Sequence, residues 1–236
     1  MGVTLEVCVD TAEGLAQAVA GGADRIELCA ALALGGLTPP AGLIQLAAGC
    51  GVPVVAMIRP RAGDFVWSEA EVDMMETEIA AMRAAGLHGV VLGASHPDGR
   101  LDLDVLRRLV AASAGMERVL HRAIDLTPDM GAALEEAVVL GFHRILTSGG
   151  EVTAEKGAAR IAALVTQAAG RITVMPGSGV NSGNAAALKG LGITEIHASC
   201  SAQTPVTGRA VEMGFAPPVQ RQTHADAVRA LKTALE

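Results

Sequence analysis

The feature that most constrains the fold is an alternation of short β-branched segments with longer segments rich in Ala and Leu. Eight segments are typical of strands: LEVCVD, RIELC, VPVVAMIRP, GVVLGAS, RVLHRAID, RILTSGG, ITVMPGSG and EIHASC. Several of the segments between them begin at Ser, Thr or Asn and end at Gly, as helices do. Strict alternation implies a parallel sheet, and eight such units in 236 residues predict an α/β fold of the (β/α)8 TIM-barrel type.

The same alternation predicts a single domain over residues 1–236, because no change of composition and no Pro- or Ser-rich linker interrupts it. With 50% hydrophobic and 18% charged residues, the chain can bury a large core. A doubly wound open sheet is the alternative fold. Eight strands, and no GxGxxG motif after the first of them, favour the barrel.

Composition excludes several classes of ligand. The net charge is −7 and the basic residues are scattered singly, so we expect no binding to nucleic acid or to an anionic membrane. Aromatic residues are only 2% of the chain, which is too few for a base-stacking surface. Without a signal-peptide pattern or a CxxC motif, the sequence predicts a cytoplasmic protein with reduced cysteines and no structural zinc.

The first two predicted strands carry two acids and two thiols. Side chains alternate along a strand, so Glu6 shares a face with Cys8, and Glu27 shares a face with Cys29. By this alternation all four side chains point into the barrel. An ionised carboxylate is costly to bury without a partner, so the two acids need a cation or a metal beside them.

The third and fifth predicted strands supply cations. Arg59 and His121 point inward by the same alternation, and we expect them to neutralise the two acids. The functional interpretation is an acid/base and anion-binding centre, and its catalytic candidates are Glu6, Glu27, His121 and Asp125. A buried ion-pair network that only closes the barrel interior is the alternative. Polar residues at the C-terminal strand ends of barrels more often serve chemistry than packing.

The two inward cysteines can be interpreted in two ways. Cys8 and Cys29 lie on neighbouring strands whose backbones run about 4.8 Å apart, so their thiols could come close. Soft thiolates select Cu(I), and Met57 could add a weak third ligand. Free cysteines also pack as small buried hydrophobes, and without further information the sequence favours that interpretation.

Glycine-rich turns follow the sixth and seventh strands, in LTSGG and MPGSGVNSGN. A loop of this kind before a helix N-terminus is the usual phosphate site of a barrel, although tight turns need glycine whether or not a ligand binds. Candidates for anion binding here are Ser148, Gly177, Gly179 and Ser199. Two long polar segments, 59–69 and 201–222, leave C-terminal strand ends and are candidate lids. His197 shares the parity of Ser199, which would turn it inward, but its role stays open.

The motifs ADRIELC with GGLTP, IRPR with GDF, HRAID, RILTSGG, and PGSGV with HAS follow one another from Leu5 to about Ser199. In these motifs the chain resembles the CutC family. The resemblance implies a TIM barrel, a cytoplasmic homo-oligomer (dimer or tetramer), and a role in copper homeostasis through Cu(I) binding or trafficking. It makes Cys8 and Cys29 the metal ligands. It also implies a set of polar strand-end residues, namely Glu6, Glu27, Arg59, Arg61, His121, Arg122 and Asp125.

Two functions are therefore expected as alternatives. One is a copper homeostasis protein that binds Cu(I) through its two inward thiols. The other is a TIM-barrel enzyme that acts on an anionic or phosphorylated small molecule, with acid/base residues at the strand ends and with Arg59, Arg61 and Arg122 among its anion-binding groups. The expected partner is accordingly a copper ion or a small anion.

Overall fold

Eight parallel strands alternate with helices in the computed structural model, which describes residues 2–236 and leaves Met1 outside. The predicted (β/α)8 barrel is confirmed. Its strands are β1 (Thr4–Val9), β2 (Arg25–Leu28), β3 (Val54–Met57), β4 (Gly89–Leu92), β5 (Glu117–Leu120), β6 (Arg144–Thr147), β7 (Thr173–Pro176) and β8 (Glu195–Ala198). The helices between and after them are α1 (Ala12–Gly21), α2 (Ala41–Ala48), α3 (Glu69–Ala84), α4 (Leu103–Ala112), α5 (Met130–Leu140), α6 (Ala158–Ala168), α7 (Ala185–Lys189), α8 (Arg209–Glu212) and α9 (Ala225–Leu235).

The strands pair in the order β7-β6-β5-β4-β3-β2-β1-β8. Within residues 2–236 no ladder joins β7 to β8, so the barrel is closed except along this seam. The register of the three strands around β1 matters for function. Cys8 lies beside Glu27 of β2, and Glu6 lies beside His197 of β8.

Alternation along the strands divides the core into two layers, as the sequence predicts. Val7 and Val9 of β1 pack in the outer layer with residues of the helices. Between them, Glu6 and Cys8 face the barrel interior and are buried. The apolar part of that interior is a smaller cluster, formed by Cys29, Val55, Met57, Val91, Val119, Leu146 and Met175.

Local sequence explains where the helices begin. The Thr11 side chain accepts the backbone N–H of Gly14 and so caps α1. Ser68 and Glu71 form a capping box at the start of α3, which is the longest helix. None of the helices within residues 2–236 combines the length and the apolar character that crossing a membrane requires.

The two predicted lids take different forms. Segment 59–69 folds back over the barrel, where Trp67 Nε1 donates to the carbonyl of Gly93 at 2.8 Å. Segment 201–222 is not a loop, because most of it forms an antiparallel ribbon of β9 (Ser201–Pro205) and β10 (Val219–Thr223), with α8 at its tip. Pairing satisfies backbone groups that a long loop would leave to water. Most residues of the ribbon and its tip are exposed, and Phe215 is 84% exposed.

Candidate functional site

Three buried side chains from neighbouring strands form the centre of the site. Cys8 of β1, Glu27 of β2 and His197 of β8 each place a potential ligand atom within 4.8 Å of the other two. The strand register explains the grouping, because β1 lies between β2 and β8. A thiol, a carboxylate and an imidazole at this spacing are able to hold a metal ion. We call these three residues the donor group.

Glu6 lies directly beneath the donor group and is neutralised by two partners. Its Oε1 is 2.8 Å from His197 Nδ1, and its Oε2 pairs with Arg25. Arg25 also pairs with Glu195, which Arg144 binds at 2.7 Å. Glu6, Arg25, Glu195 and Arg144 thus form a network of ion pairs, which we call the floor network. The sequence analysis did not assign a partner to Arg25, Glu195 or Arg144.

The prediction that Arg59 and His121 would neutralise the acids is wrong. Arg25 and His197 do so instead. Arg25 is two residues before Glu27 and shares its face, so the same alternation, extended by one step, would have identified it. His197 had the correct parity in the sequence, but only the register places it beside Glu6.

Burial and charge set the protonation states around the donor group. Burial alone would raise the pKa of Glu6, but the hydrogen bond with His197 and the charge of Arg25 lower it to about 2. Burial raises the pKa of Glu27 to about 7, although the charge of His197 opposes this. Burial opposes the charge of His197 itself, yet Cys8, Glu27 and Glu6 raise its pKa well above the usual value.

Cys29 lies outside the donor group. It follows β2 directly and is two residues beyond Glu27, about 6.6 Å further along the extended chain. Its thiol is 3.7 Å from Glu27 Oε2 and lies beside Gly36, in the same apolar cluster as Met57. Burial and the neighbouring Glu27 raise the pKa of the Cys29 thiol well above its usual value. The group around Cys8 thus contains Glu27 and His197 where the sequence analysis expected a second thiol.

A cavity of about 270 Å³ opens above the donor group, at the C-terminal ends of the strands. Cys8, Glu27 and His197 form part of its wall. Further wall residues come from the strand-end turns and loops, and include Leu32, Met57, Arg59, Phe65, His121 and Arg122. The cavity therefore joins the donor group to several of the predicted anion-binding and catalytic residues.

Arg59 lies in this wall with its guanidinium held by three backbone carbonyls. Nη1 donates to Leu34 at 2.9 Å and to Gly36 at 3.0 Å, and Nη2 donates to Gly63 at 2.9 Å. No ion pair of Arg59 occurs among residues 2–236, and its Nε–H has no acceptor there. Burial, followed by the charge of Arg61, lowers the pKa of Arg59.

His121 lies one residue beyond β5 and caps a short 3₁₀ turn. Its Nδ1 accepts the backbone N–H of Ala123 at 3.1 Å, while Nε2 has no partner in the described chain. Burial and the charge of Arg59 lower the pKa of His121 to about 3, so the ring is neutral. Because β5 ends at Leu120, the strand alternation assumed for 121–125 is wrong beyond His121.

Asp125 lies in the same 3₁₀ turn and holds the loop after β6. Its carboxylate accepts hydrogen bonds from Thr147, Ser148 and Gly150, and it pairs with Arg122 at 2.7 Å. Asp125 is not part of the cavity wall. These contacts give the carboxylate a positioning role in the turn, in place of the inward catalytic position that strand parity predicted.

The remaining predicted residues are dispersed. Arg61 pairs with Glu71 at 2.6 Å and stacks on Trp67, away from the cavity wall. Gly177 donates its N–H to the carbonyl of Thr147. Gly179 and Ser199 line a second cavity of about 460 Å³, whose wall also includes Cys8 and His197. The phosphate site stays a prediction, since the helix after the β7 loop, α7, is only five residues long.

Comparison with known proteins identifies the relatives of the chain. The model of the CutC family matches residues 3–202. A CutC family protein of Sinorhizobium medicae is 55% identical over 99% of this chain and 96% of that protein. One of Caulobacter vibrioides is 51% identical over 98% and 97%.

Solved structures agree with this comparison. A crystal structure of CutC from Streptococcus agalactiae, a protein named for copper homeostasis, matches this chain with a TM-score of 0.80 and 32% sequence identity. The match covers 84% of this chain and 99% of that one. Thiamine phosphate pyrophosphorylase from Pyrococcus furiosus has a TM-score of 0.60 and 16% identity, covering 99% and 95%. The second likeness shows the fold alone.

Proposed function

The chain belongs to the CutC family, and from this membership we propose that it acts in copper homeostasis by binding Cu(I) at the donor group. The observation that carries the proposal is the buried cluster of Cys8, Glu27 and His197, with ligand atoms within 4.8 Å of one another. Copper here is cargo that the protein binds and releases.

The chemistry of the donor atoms supports Cu(I). A cysteine sulfur is a soft ligand and imidazole also suits copper. Glu6 binds His197 at Nδ1 and so directs Nε2 toward Glu27, whose Oε2 is 3.7 Å away. A carboxylate on the far nitrogen of a metal-binding histidine is a common arrangement that orients the ring. The other oxygen of Glu27, Oε1, has no hydrogen-bond partner in the described chain.

Loading the donor group requires loss of protons. A metal-binding thiol must be a thiolate and a metal-binding imidazole must be neutral. Since the pKa of His197 is raised well above its usual value, copper has to displace a proton from that ring. We therefore expect Cu(I) affinity to weaken as the pH falls.

A competition titration of Cu(I) against a chromogenic chelator tests the proposal. We expect Cys8→Ser to weaken Cu(I) binding by more than about 100-fold, because a ligand is lost, and Cys29→Ser by less than about 10-fold. Cys50→Ser is the matched control, since that thiol bonds the carbonyl of Val52 outside the donor group. Equal losses in Cys8→Ser and Cys29→Ser would contradict the donor group, and wild-type affinity in both would contradict a copper site in the barrel.

A second candidate function is an enzyme acting on a small anionic or phosphorylated molecule. Its support is the position of Glu27, which offers an unpartnered carboxylate oxygen in a cavity at the C-terminal strand ends. The test is solvent-deuterium exchange into a panel of small anions, followed by NMR. Exchange by the wild type that is lost in Glu27→Gln and kept in Cys8→Ser would favour the enzyme, and no exchange would count against it. A cytoplasmic location and a homo-oligomer remain predictions.

A further inference from the structure

Two groups in the cavity wall have no role in the copper proposal. Arg59 and His121 are 6% and 3% exposed, and both line the cavity. Arg59 Nε and His121 Nε2 are buried nitrogens without an acceptor in the described part of the chain. A buried N–H without a partner costs free energy, so each such group requires an explanation.

Arg59 also carries a charge that no acid in residues 2–236 neutralises. Arg25, the other buried arginine, pairs with both Glu6 and Glu195. Arg59 has only backbone carbonyls, which take three of its five N–H groups and leave Nε as its one nitrogen without any acceptor in the described chain. A buried guanidinium without a counter-charge is stabilised by an anion that binds to it.

The hydrogen bonds of His121 fix which nitrogen carries its proton. Because Nδ1 accepts from the N–H of Ala123, the proton of the neutral ring is on Nε2. The ring of His121, which lines the cavity, therefore carries an uncharged N–H at Nε2 that has no acceptor in the described chain. A ligand beside it must present an acceptor.

Phe65 brings the two donors together. Its ring centroid is 4.4 Å from that of His121 and 5.1 Å from Cζ of Arg59, so both side chains pack on one aromatic ring. Gly93, directly after β4, leaves room for the imidazole, since a Cβ there would be 2.0 Å from His121 Cε1. The donors are thus held in place before any ligand arrives.

We infer that this cavity binds a small organic carboxylate, whose oxygens accept hydrogen bonds from Arg59 Nε and His121 Nε2. One unpaired guanidinium matches a monoanion, and two N–H donors match the two oxygens of a carboxylate. Leu32, Met57 and Phe65 supply apolar wall for the rest of the molecule. A volume of about 270 Å³ limits the ligand to a small metabolite. The site does not depend on copper.

Isothermal titration of metal-free protein, kept in chelator, tests this inference with three probes. Butyrate is the carboxylate, butyramide is its uncharged analogue of the same shape, and inorganic phosphate is the alternative anion. We expect butyrate to bind at millimolar concentration or tighter, and butyramide and phosphate to bind at least about 10-fold more weakly. Absence of butyrate binding, or equal binding of butyramide or phosphate, would overturn the inference.

Two histidine variants locate the site. In His121→Asn the amide oxygen can still accept from Ala123, but no donor reaches the position of Nε2. We expect butyrate binding to weaken at least about 10-fold. His143→Asn is the matched control, because His143 also accepts a backbone N–H, that of Arg118, at 3.1 Å, but it is exposed and outside the cavity wall. Unchanged binding in His121→Asn would overturn the assignment.

A spectroscopic readout covers the case in which a variant folds poorly. In wild-type protein, the ¹⁵N and ¹H signals of His121 Nε2 should move when butyrate is added and stay in place when butyramide is added. Butyrate that binds without moving these signals occupies another site and would also overturn the inference.

Discussion

Arg25 is the cation that pairs with two carboxylates, those of the buried Glu6 and of the partly buried Glu195. Its replacement in Arg25→Met would remove one of the two partners of the buried Glu6 and would leave Glu195 with Arg144 alone. We expect the free energy of unfolding to fall by about 3–5 kcal/mol, as for other broken buried pairs. Urea denaturation measures this.

The control for this change is Arg107→Met. Arg107 pairs with Asp104 on the surface, and both side chains are exposed. Loss of that pair should change the free energy of unfolding by less than about 1 kcal/mol. A similar fall in the free energy of unfolding in the two variants would contradict a larger stabilising effect of the buried ion pairs of Arg25.

His121 should make stability depend on pH. The pKa of the folded ring is lowered to about 3, whereas the unfolded ring keeps its ordinary value of 6.5. Between these values only the unfolded state takes up the proton, so this contribution to stability is complete above pH 6.5 and is lost as the pH falls. The loss is at most about 1.4 kcal/mol per pH unit. Urea denaturation of wild type and His121→Asn from pH 7.5 to 5 should converge, and parallel curves would contradict the lowered pKa.

Strand alternation was enough to predict which residues of β1 and β2 point inward. It correctly placed Glu6, Cys8, Glu27 and Cys29, because parity is a local property of a strand. It could not predict which charges meet, since that depends on the register between strands distant in sequence. The pairing of Glu6 with His197 is an example, since the two residues are 191 positions apart along the chain.

At the scale of the element, the turn after β4 depends on the absence of a side chain at Gly93. A Cβ at this position would lie 2.0 Å from Cε1 of His121, whose ring is held by Ala123. We expect Gly93→Ala to lower the free energy of unfolding by about 1–3 kcal/mol, the usual effect of overpacking. Thermal and urea denaturation measure it.

Gly42→Ala is the matched change with the opposite expected sign. Gly42 lies in α2 and a Cβ there would meet no atom within 4 Å. Alanine is favoured over glycine in helices by up to about 1 kcal/mol, so this variant should be slightly more stable than wild type. A Gly93→Ala protein as stable as Gly42→Ala would contradict the described contact with His121.

The sequence predicted the eight barrel strands but not the ribbon of β9 and β10. Barrel strands are buried on both faces, so each is a short apolar, β-branched segment that can be recognised from the local sequence alone. The ribbon is built from polar segments such as SAQTP and VQRQT, and only their pairing makes them strands. The opposite error occurred at Arg122–Leu126, where a 3₁₀ turn that includes Asp125 was predicted to continue β5.

At the scale of the whole molecule, the ribbon tip should be separable from the barrel. Replacing residues 204–220 by Asn-Gly would join Gln203 to Arg221, which face each other in the ribbon, through a two-residue hairpin turn. We expect the free energy of unfolding in urea to change by less than about 1 kcal/mol, because the removed residues are largely exposed.

Removal of α9 is the contrasting deletion. Val228 and Leu231 of this helix are fully buried, and Val228 meets Gly21 of α1. Burying each such side chain contributes about 1.5–3 kcal/mol, so a chain without residues 225–236 should lose several times more stability than one without the tip. Equal losses would mean that the ribbon belongs to the barrel core.

The most direct test of the copper site is X-ray absorption at the copper edge on protein loaded with one equivalent of Cu(I). We predict scattering from one sulfur, that of Cys8, together with nitrogen or oxygen from His197 and Glu27. Two sulfurs and no nitrogen or oxygen would instead identify Cys8 and Cys29 as the ligands and would contradict the donor group.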